Sequence, residues 1–141
     1  ELGVTGKNIG KLKTDGKIEI DGRTIELAEV SEFKKGVGLA FVMDTRICQN
    51  AVELANDADY FICESTYLAA ETADAKKNGH LTAKQAAEIA LKANCQNLIL
   101  THFSQRYFST KEFVAEAKEI FENTIAVKDG DQVEILRRNK N

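Results

Sequence analysis

Three short apolar runs constrain this chain more than any other feature. They lie at 39–43 (L-A-F-V-M), 60–63 (Y-F-I-C) and 98–100 (L-I-L), and segments with helical periodicity separate them. Runs of this length, without alternation, read as strands buried on both faces, the pattern of a parallel sheet covered by crossover helices. The chain is therefore expected to be an α/β protein built from right-handed βαβ units. Hairpin strands are expected at the sheet edges. At 141 residues it has the length of a single domain, expected to run over 1–141.

The organisation changes along the chain. Residues 1–15 are polar and punctuated by Gly3, Gly6 and Gly10, which reads as loop. In 17–27, Ile18 and Ile20 alternate with charges, Asp21-Gly22 supplies a turn, and Ile25 and Leu27 alternate again, which is a hairpin signal. The boundaries expected are thus 1–37 for loop and hairpin, 38–136 for strand–helix alternation and 137–141 for a basic, solvated tail.

Helices are expected from Asn50 to near Asp57, with Glu53 in capping-box position, and over 67–77, closed by Asn78-Gly79. Thr82 with Gln85, and Ser109 with Glu112, form two further capping boxes. The first opens an alanine-rich helix running to about Ala93. The second opens a helix whose Phe113, Val114, Ala117, Ile120 and Phe121 fall on one face, a core stripe. Strands at 124–127 and 132–136, turning at Asp129-Gly130, are expected to close the domain.

Composition narrows the function classes. A net charge of −3 argues against broad non-specific nucleic-acid binding, though not against a local basic patch. No apolar run approaches the 18 or so residues of a membrane span, and no signal peptide is apparent. The three cysteines, Cys48, Cys63 and Cys95, form no CxxC pair, which suits reduced thiols in a cytoplasmic protein.

Chemistry concentrates where the apolar runs stop. They end in Asp44-Thr45, in Glu64-Ser65-Thr66 and in Thr101-His102, and parallel adjacent strands would bring these ends to one sheet edge, where α/β ligands sit. His80, in a loop before a helix, can lie over the same edge. Carboxylates with imidazoles suit zinc or another divalent transition metal. Bland readings stand beside this one: Asp44 starting a turn, Glu64 pairing with a lysine, His102 capping its strand, His80 an ordinary loop residue.

Four motifs add a family resemblance. M-D-T-R at 43–46, C-E-S-T at 63–66, G-H-L-T-A at 79–83 and T-H-F-S-Q-R-Y at 101–107 resemble, in this order, C-terminal motifs of ribonuclease Z. That family is the tRNA 3′-processing endoribonuclease branch of the metallo-β-lactamase superfamily. G-K-L-K at 10–13 and D-G-D at 129–131 extend the likeness over essentially the whole chain. The resemblance implies the C-terminal half of a metallo-β-lactamase αβ/βα sandwich, a mixed sheet with flanking helices. It implies an endoribonuclease that removes 3′ trailers from precursor tRNA with two zinc ions.

Under the resemblance, Asp44 bridges the zinc ions, His102 binds one of them, and His80 acts on the scissile phosphate, oriented by Glu64. Arg106 and Ser104 would contact substrate phosphate; a structural salt bridge is an equal alternative for Arg106. The chain departs from the family pattern at Met43, where glycine is usual, at Cys63, where histidine is usual, and near Gly6, where a Pro-rich opening is usual. It also lacks the H-x-H-x-D-H motif, and with only His80 and His102 it cannot complete a two-zinc site. The expectations follow: an inactive segment that binds zinc weakly, pairs with an N-terminal half of the same fold, and self-associates as a homodimer. Alternatives are another metallo-β-lactamase-fold phosphodiesterase or sulfatase, or a non-catalytic half-fold that binds RNA or protein.

Overall fold

The computed structural model describes residues 3–32, 34 and 36–136. The basic tail expected at 137–141 lies outside the described residues. The chain divides into two compact units, Glu1–Lys35 and Gly36–Asn141.

In the first unit, helix α1 (Lys7–Asp15) precedes a hairpin of β1 (Lys17–Ile20) and β2 (Arg23–Glu26), followed by one turn of helix, α2 (Leu27–Val30). The hairpin pairs antiparallel, with Ile18 opposite Ile25, and turns at Asp21-Gly22, both at positive φ. The helix corrects the expected loop. Gly10 reads as loop punctuation but sits inside α1, where a glycine costs only about 1 kcal/mol. Gly16, in the left-handed conformation at φ 75°, then ends the helix and donates its N–H to the Leu12 carbonyl.

The second unit carries the alternation. Strands β3 (Leu39–Val42), β4 (Tyr60–Glu64), β5 (Leu98–Thr101) and β6 (Thr124–Ala126) pair in that order, all parallel. Helices α3 (Gln49–Ala55), α5 (Ala83–Lys92) and α6 (Lys111–Lys118) connect them. Between β4 and α5 lie a 3₁₀ turn (Ala69–Glu71) and α4 (Thr72–Asn78), where one continuous helix was expected. Antiparallel and parallel pairing are thus both present, in separate sheets.

Alternation decides the core. Ala40 and Val42, Phe61 and Cys63, and Leu98 and Leu100 project from one sheet face onto Ala51 and Ala55 of α3, the alanines of α5, and Phe113 and Ala117 of α6. The small side chains of α5 let it lie close to its neighbours; Ala86, Ala87 and Ala90 are fully buried. Phe113 stacks edge-on with Phe103 and Tyr107 at 4.7 and 4.8 Å between ring centroids, adding aromatic contact to that burial.

The other sheet face is different. Leu39 and Phe41 are 52% and 57% exposed, and Ile125 is also exposed, so β3 is buried on one side only. Among these strands only β5 has the two-sided burial expected, with Ile99 at 3%. Leu39, Phe41, Met43, Ile62 and Ile99 line a shallow apolar hollow with Val133 and Ile135. Residues 132–136 do not form the expected closing strand. Their alternation mimics one, yet the segment runs outside the ladder, and its Leu136 N–H donates to the Tyr60 hydroxyl at 3.1 Å.

Capping follows the sequence in part. Thr82 and Gln85 form the reciprocal capping box at the start of α5. Ser109 does not cap α6: the N-cap is Thr110, and the Ser109 hydroxyl accepts only from the Lys111 N–H.

Candidate metal centre

The parallel register places the site. Val42, Cys63 and Leu100 are level across the sheet, and Glu64 is level with Thr101. Asp44 and His102 therefore emerge from the carboxyl ends of strands on either side of β4, with Glu64 between them. Asp44 at φ 49° and His102 at φ 60° are both left-handed, a conformation non-glycine residues adopt at a cost and one that recurs at functional sites. It turns each side chain sharply away from its strand.

Asp44, His80 and His102 each bring a ligand atom to within 4.8 Å of the others. Asp44 Oδ1 lies 3.4 Å from His102 Nε2 and 3.7 Å from His80 Nδ1. The imidazole centroids are 5.3 Å apart. The cluster is open, with the Asp44 side chain 69% exposed and that of His102 44%.

Beneath it lies Glu64, fully buried. A carboxylate in such a place must be hydrogen-bonded, and four groups converge on it. The Thr45 N–H donates to Oε1 at 2.7 Å, and the Leu81 N–H donates to Oε2 at 3.1 Å. The Thr66 hydroxyl reaches Oε2 at 2.7 Å, and His80 Nδ1 lies 3.1 and 3.2 Å from the two oxygens. The turn after β3 and the loop before α5 are thus both tied to one buried side chain.

Sequence reasoning placed Asp44, Glu64, His80 and His102 at one sheet edge, and the structure brings all four together. Ser104 and Arg106 bond elsewhere. The Ser104 N–H donates to the Thr66 carbonyl at 3.1 Å. The Arg106 guanidinium pairs with Asp74 at 3.3 Å and lies 5.0 Å over the Tyr67 ring. Tyr67 in turn sits 6.2 Å from the His80 ring. The C-E-S-T motif assigns Thr66 no role; its contacts with Glu64 and His102 come from the fold. The Cys63 thiol offers no ligand atom here. It points into the core, and burial, aided by the neighbouring Glu64 charge, pushes its pKa far up.

The donor set fits a metal ion. Asp44 Oδ1 and His102 Nε2 face each other across 3.4 Å, a separation suited to a shared cation, with the His80 ring alongside, and the chemistry matches zinc or a similar divalent ion. Asp44, His80 and His102 are thus a possible partial metal site.

No protein-family profile matches the chain. Over 128 residues, 91% of this chain, it is 45% identical to ribonuclease Z of Nocardia farcinica (strain IFM 10152), of which it covers 42%. The short form of human tRNase Z superposes on 81% of this chain and 37% of its own, with a TM-score of 0.58 and 26% identity. A metallo-β-lactamase fold protein from Bacillus subtilis matches 64% of this chain and 36% of its own, also with a TM-score of 0.58, at 23% identity. The fold is that of the metallo-β-lactamases.

Proposed function

The chain belongs to the ribonuclease Z family, as a segment spanning about 42% of a curated relative, and on that premise we propose that it supplies the C-terminal half of a zinc-dependent endoribonuclease that trims 3′ trailers from precursor tRNA. The observation that carries this reading is the convergence of Asp44, His80 and His102 over the buried Glu64 at the carboxyl ends of parallel strands.

In this reading Asp44 would hold zinc through its carboxylate and His102 through an imidazole nitrogen. Bound there, zinc supplies Lewis-acid stabilisation of phosphoryl charge and lowers the pKa of water. His80 keeps Nδ1 on Glu64, so its Nε2 is the atom that delivers a proton to the leaving oxygen. Ser104 and Arg106 meet the substrate phosphates, Arg106 keeping exposed guanidinium donors beside its Asp74 pair.

Asp44 and His102 fall short of the three protein ligands of a catalytic zinc site. The remaining ligands come from the N-terminal half, and the exposed Leu39, Phe41 and Ile125 face supports the docking of that half on the sheet. Alone, the 141-residue chain is inactive, holds zinc weakly and self-associates through that face as a homodimer. The complete enzyme works in the cytoplasm. Among the described residues, no helix is long and apolar enough to cross a membrane.

The test is trailer cleavage by the longer protein that contains this segment. Cleavage at the 3′ end of the mature tRNA, abolished by chelation and restored by zinc, is expected. Failure of the longer protein to cut precursor tRNA under those conditions overturns the reading. Elution of the isolated chain from a sizing column as a compact monomer overturns the homodimer.

A further inference from the structure

We propose that Thr66 is a positioning residue that fixes the tautomer of His102, so that one buried carboxylate, Glu64, orients both histidines of the site. The Thr66 hydroxyl is 2.7 Å from Glu64 Oε2 and 2.8 Å from His102 Nδ1. A hydroxyl has one proton to give. Glu64 collects donors on both oxygens, from the Thr45 and Leu81 backbone N–H groups and from His80. The Thr66 proton therefore points at Glu64, and the hydroxyl oxygen is left as an acceptor towards His102.

That direction sets the imidazole. His102 carries its proton on Nδ1 and donates it to Thr66, which leaves Nε2 with a free lone pair. Nε2 is the atom that faces Asp44 Oδ1 at 3.4 Å. An imidazole binds a metal ion through an unprotonated nitrogen, and the bond made by its other nitrogen decides which one that is. His80 receives the same instruction directly, its Nδ1 lying on Glu64, whereas His102 receives it through Thr66.

Thr66 is well fixed for the task. It is 6% exposed. Its β-branched side chain has few rotamers. Its carbonyl accepts from the Ser104 N–H at 3.1 Å, just beyond His102, and the preceding Ser65 N–H bonds the Thr101 carbonyl at 2.9 Å. Backbone and side chain together hold the turn after β5 against the end of β4.

The hydrogen-bond chain stands on geometry alone; only the purpose of the free Nε2 rests on the reading of His102 as a zinc ligand. The test uses the 141-residue chain without metal or RNA. It contains only two histidines, so long-range proton–nitrogen correlation spectra resolve both rings. Recorded well above the ordinary imidazole pKa of about 6.5, the parent spectrum should show His102 protonated at Nδ1. Thr66→Val keeps the shape and removes the hydroxyl; the His102 pattern should shift to mixed or Nε2-protonated while His80 stays as it was. Thr66→Ser should restore the parent pattern. Titrated with zinc alone, Thr66→Val should bind about tenfold more weakly than the parent and Thr66→Ser within about twofold of it.

A parent chain with His102 protonated at Nε2 overturns the proposal, as does a Thr66→Val spectrum unchanged from the parent. Should the valine variant fail to fold, the parent tautomer and the serine spectrum still decide. Because no RNA enters, failure here leaves the trailer-cleavage reading intact, and failure of cleavage leaves the tautomer result intact.

Discussion

Asp44 Oδ1 and His102 Nε2 face each other across 3.4 Å from the ends of two strands separated by β4. Both residues are left-handed, so a substitution at either position risks confusing lost chemistry with backbone strain. Asparagine tolerates that conformation as readily as aspartate, which makes Asp44→Asn the cleaner probe. Zinc titration of this variant should show affinity reduced at least tenfold, the lower bound for residues that merely support a ligand, with the circular dichroism unchanged. Parent-like affinity would remove Asp44 from the ligand set.

Glu64→Gln tests the buried carboxylate. A glutamine offers one acceptor oxygen and an NH₂ group, so at least one of the converging donors would meet another donor. Hydrogen bonds to a buried charged group are worth roughly 1.5–3 kcal/mol each, and a loss of about 3 kcal/mol is expected. The midpoint of denaturant unfolding measures it, and an unchanged midpoint would show that Glu64 is not the anchor its contacts describe.

His80→Ala separates a proton donor from a ligand. A proton donor contributes roughly 10²–10⁴-fold, so in the longer protein kcat for trailer cleavage should fall by that factor with KM nearly unchanged. A substrate whose leaving oxygen needs no proton should recover most of the loss. Equal losses on both substrates would point instead to His80 as a ligand.

The cysteines give a prediction in pH. Cys48 is exposed, while Cys63 and Cys95 are buried. Burial, with help from Asp57, pushes the Cys95 thiol up from 9.0 to about 11, and Cys63 is raised further. The thiolate is the reactive form, so near-neutral alkylation of the native chain should add one label, at Cys48. A folded pKa above the unfolded one stabilises the fold fully below about 9, and that contribution is lost as pH rises towards 11. Unfolding midpoints should therefore drop over that interval, and less steeply in Cys95→Ala.

Much of this site is legible in the residues because the strand ends are. Apolar length locates β4 and β5 to within a residue, and polar residues just past those runs, Glu64 and His102, are joined through Thr66. The pattern at Thr82 and Gln85 reports a cap because both partners are local. The same local spacing misleads at Ser109 and Glu112, where the backbone starts the helix from Thr110 instead. For Glu64, pairing with a lysine reads as readily as a site role, since nothing local shows that the Thr45 and Leu81 amides will arrive to bury it. The bond from Thr66 to His102 joins residues 36 apart, and periodicity carries no information about it.

The level register of Val42, Cys63 and Leu100 has a consequence for how the site comes into being. Each strand acts as a ruler of fixed zero, and the reactive residues are marks just past its end. Inserting or deleting one residue within β5 would invert every side chain beyond it, since the strand period is two, and would send His102 to the opposite face with little change in hydrophobicity. Pairings slipped by one residue therefore contain all the ingredients and no site. Competence to assemble the centre is thus all-or-none in the register of β5 against β4.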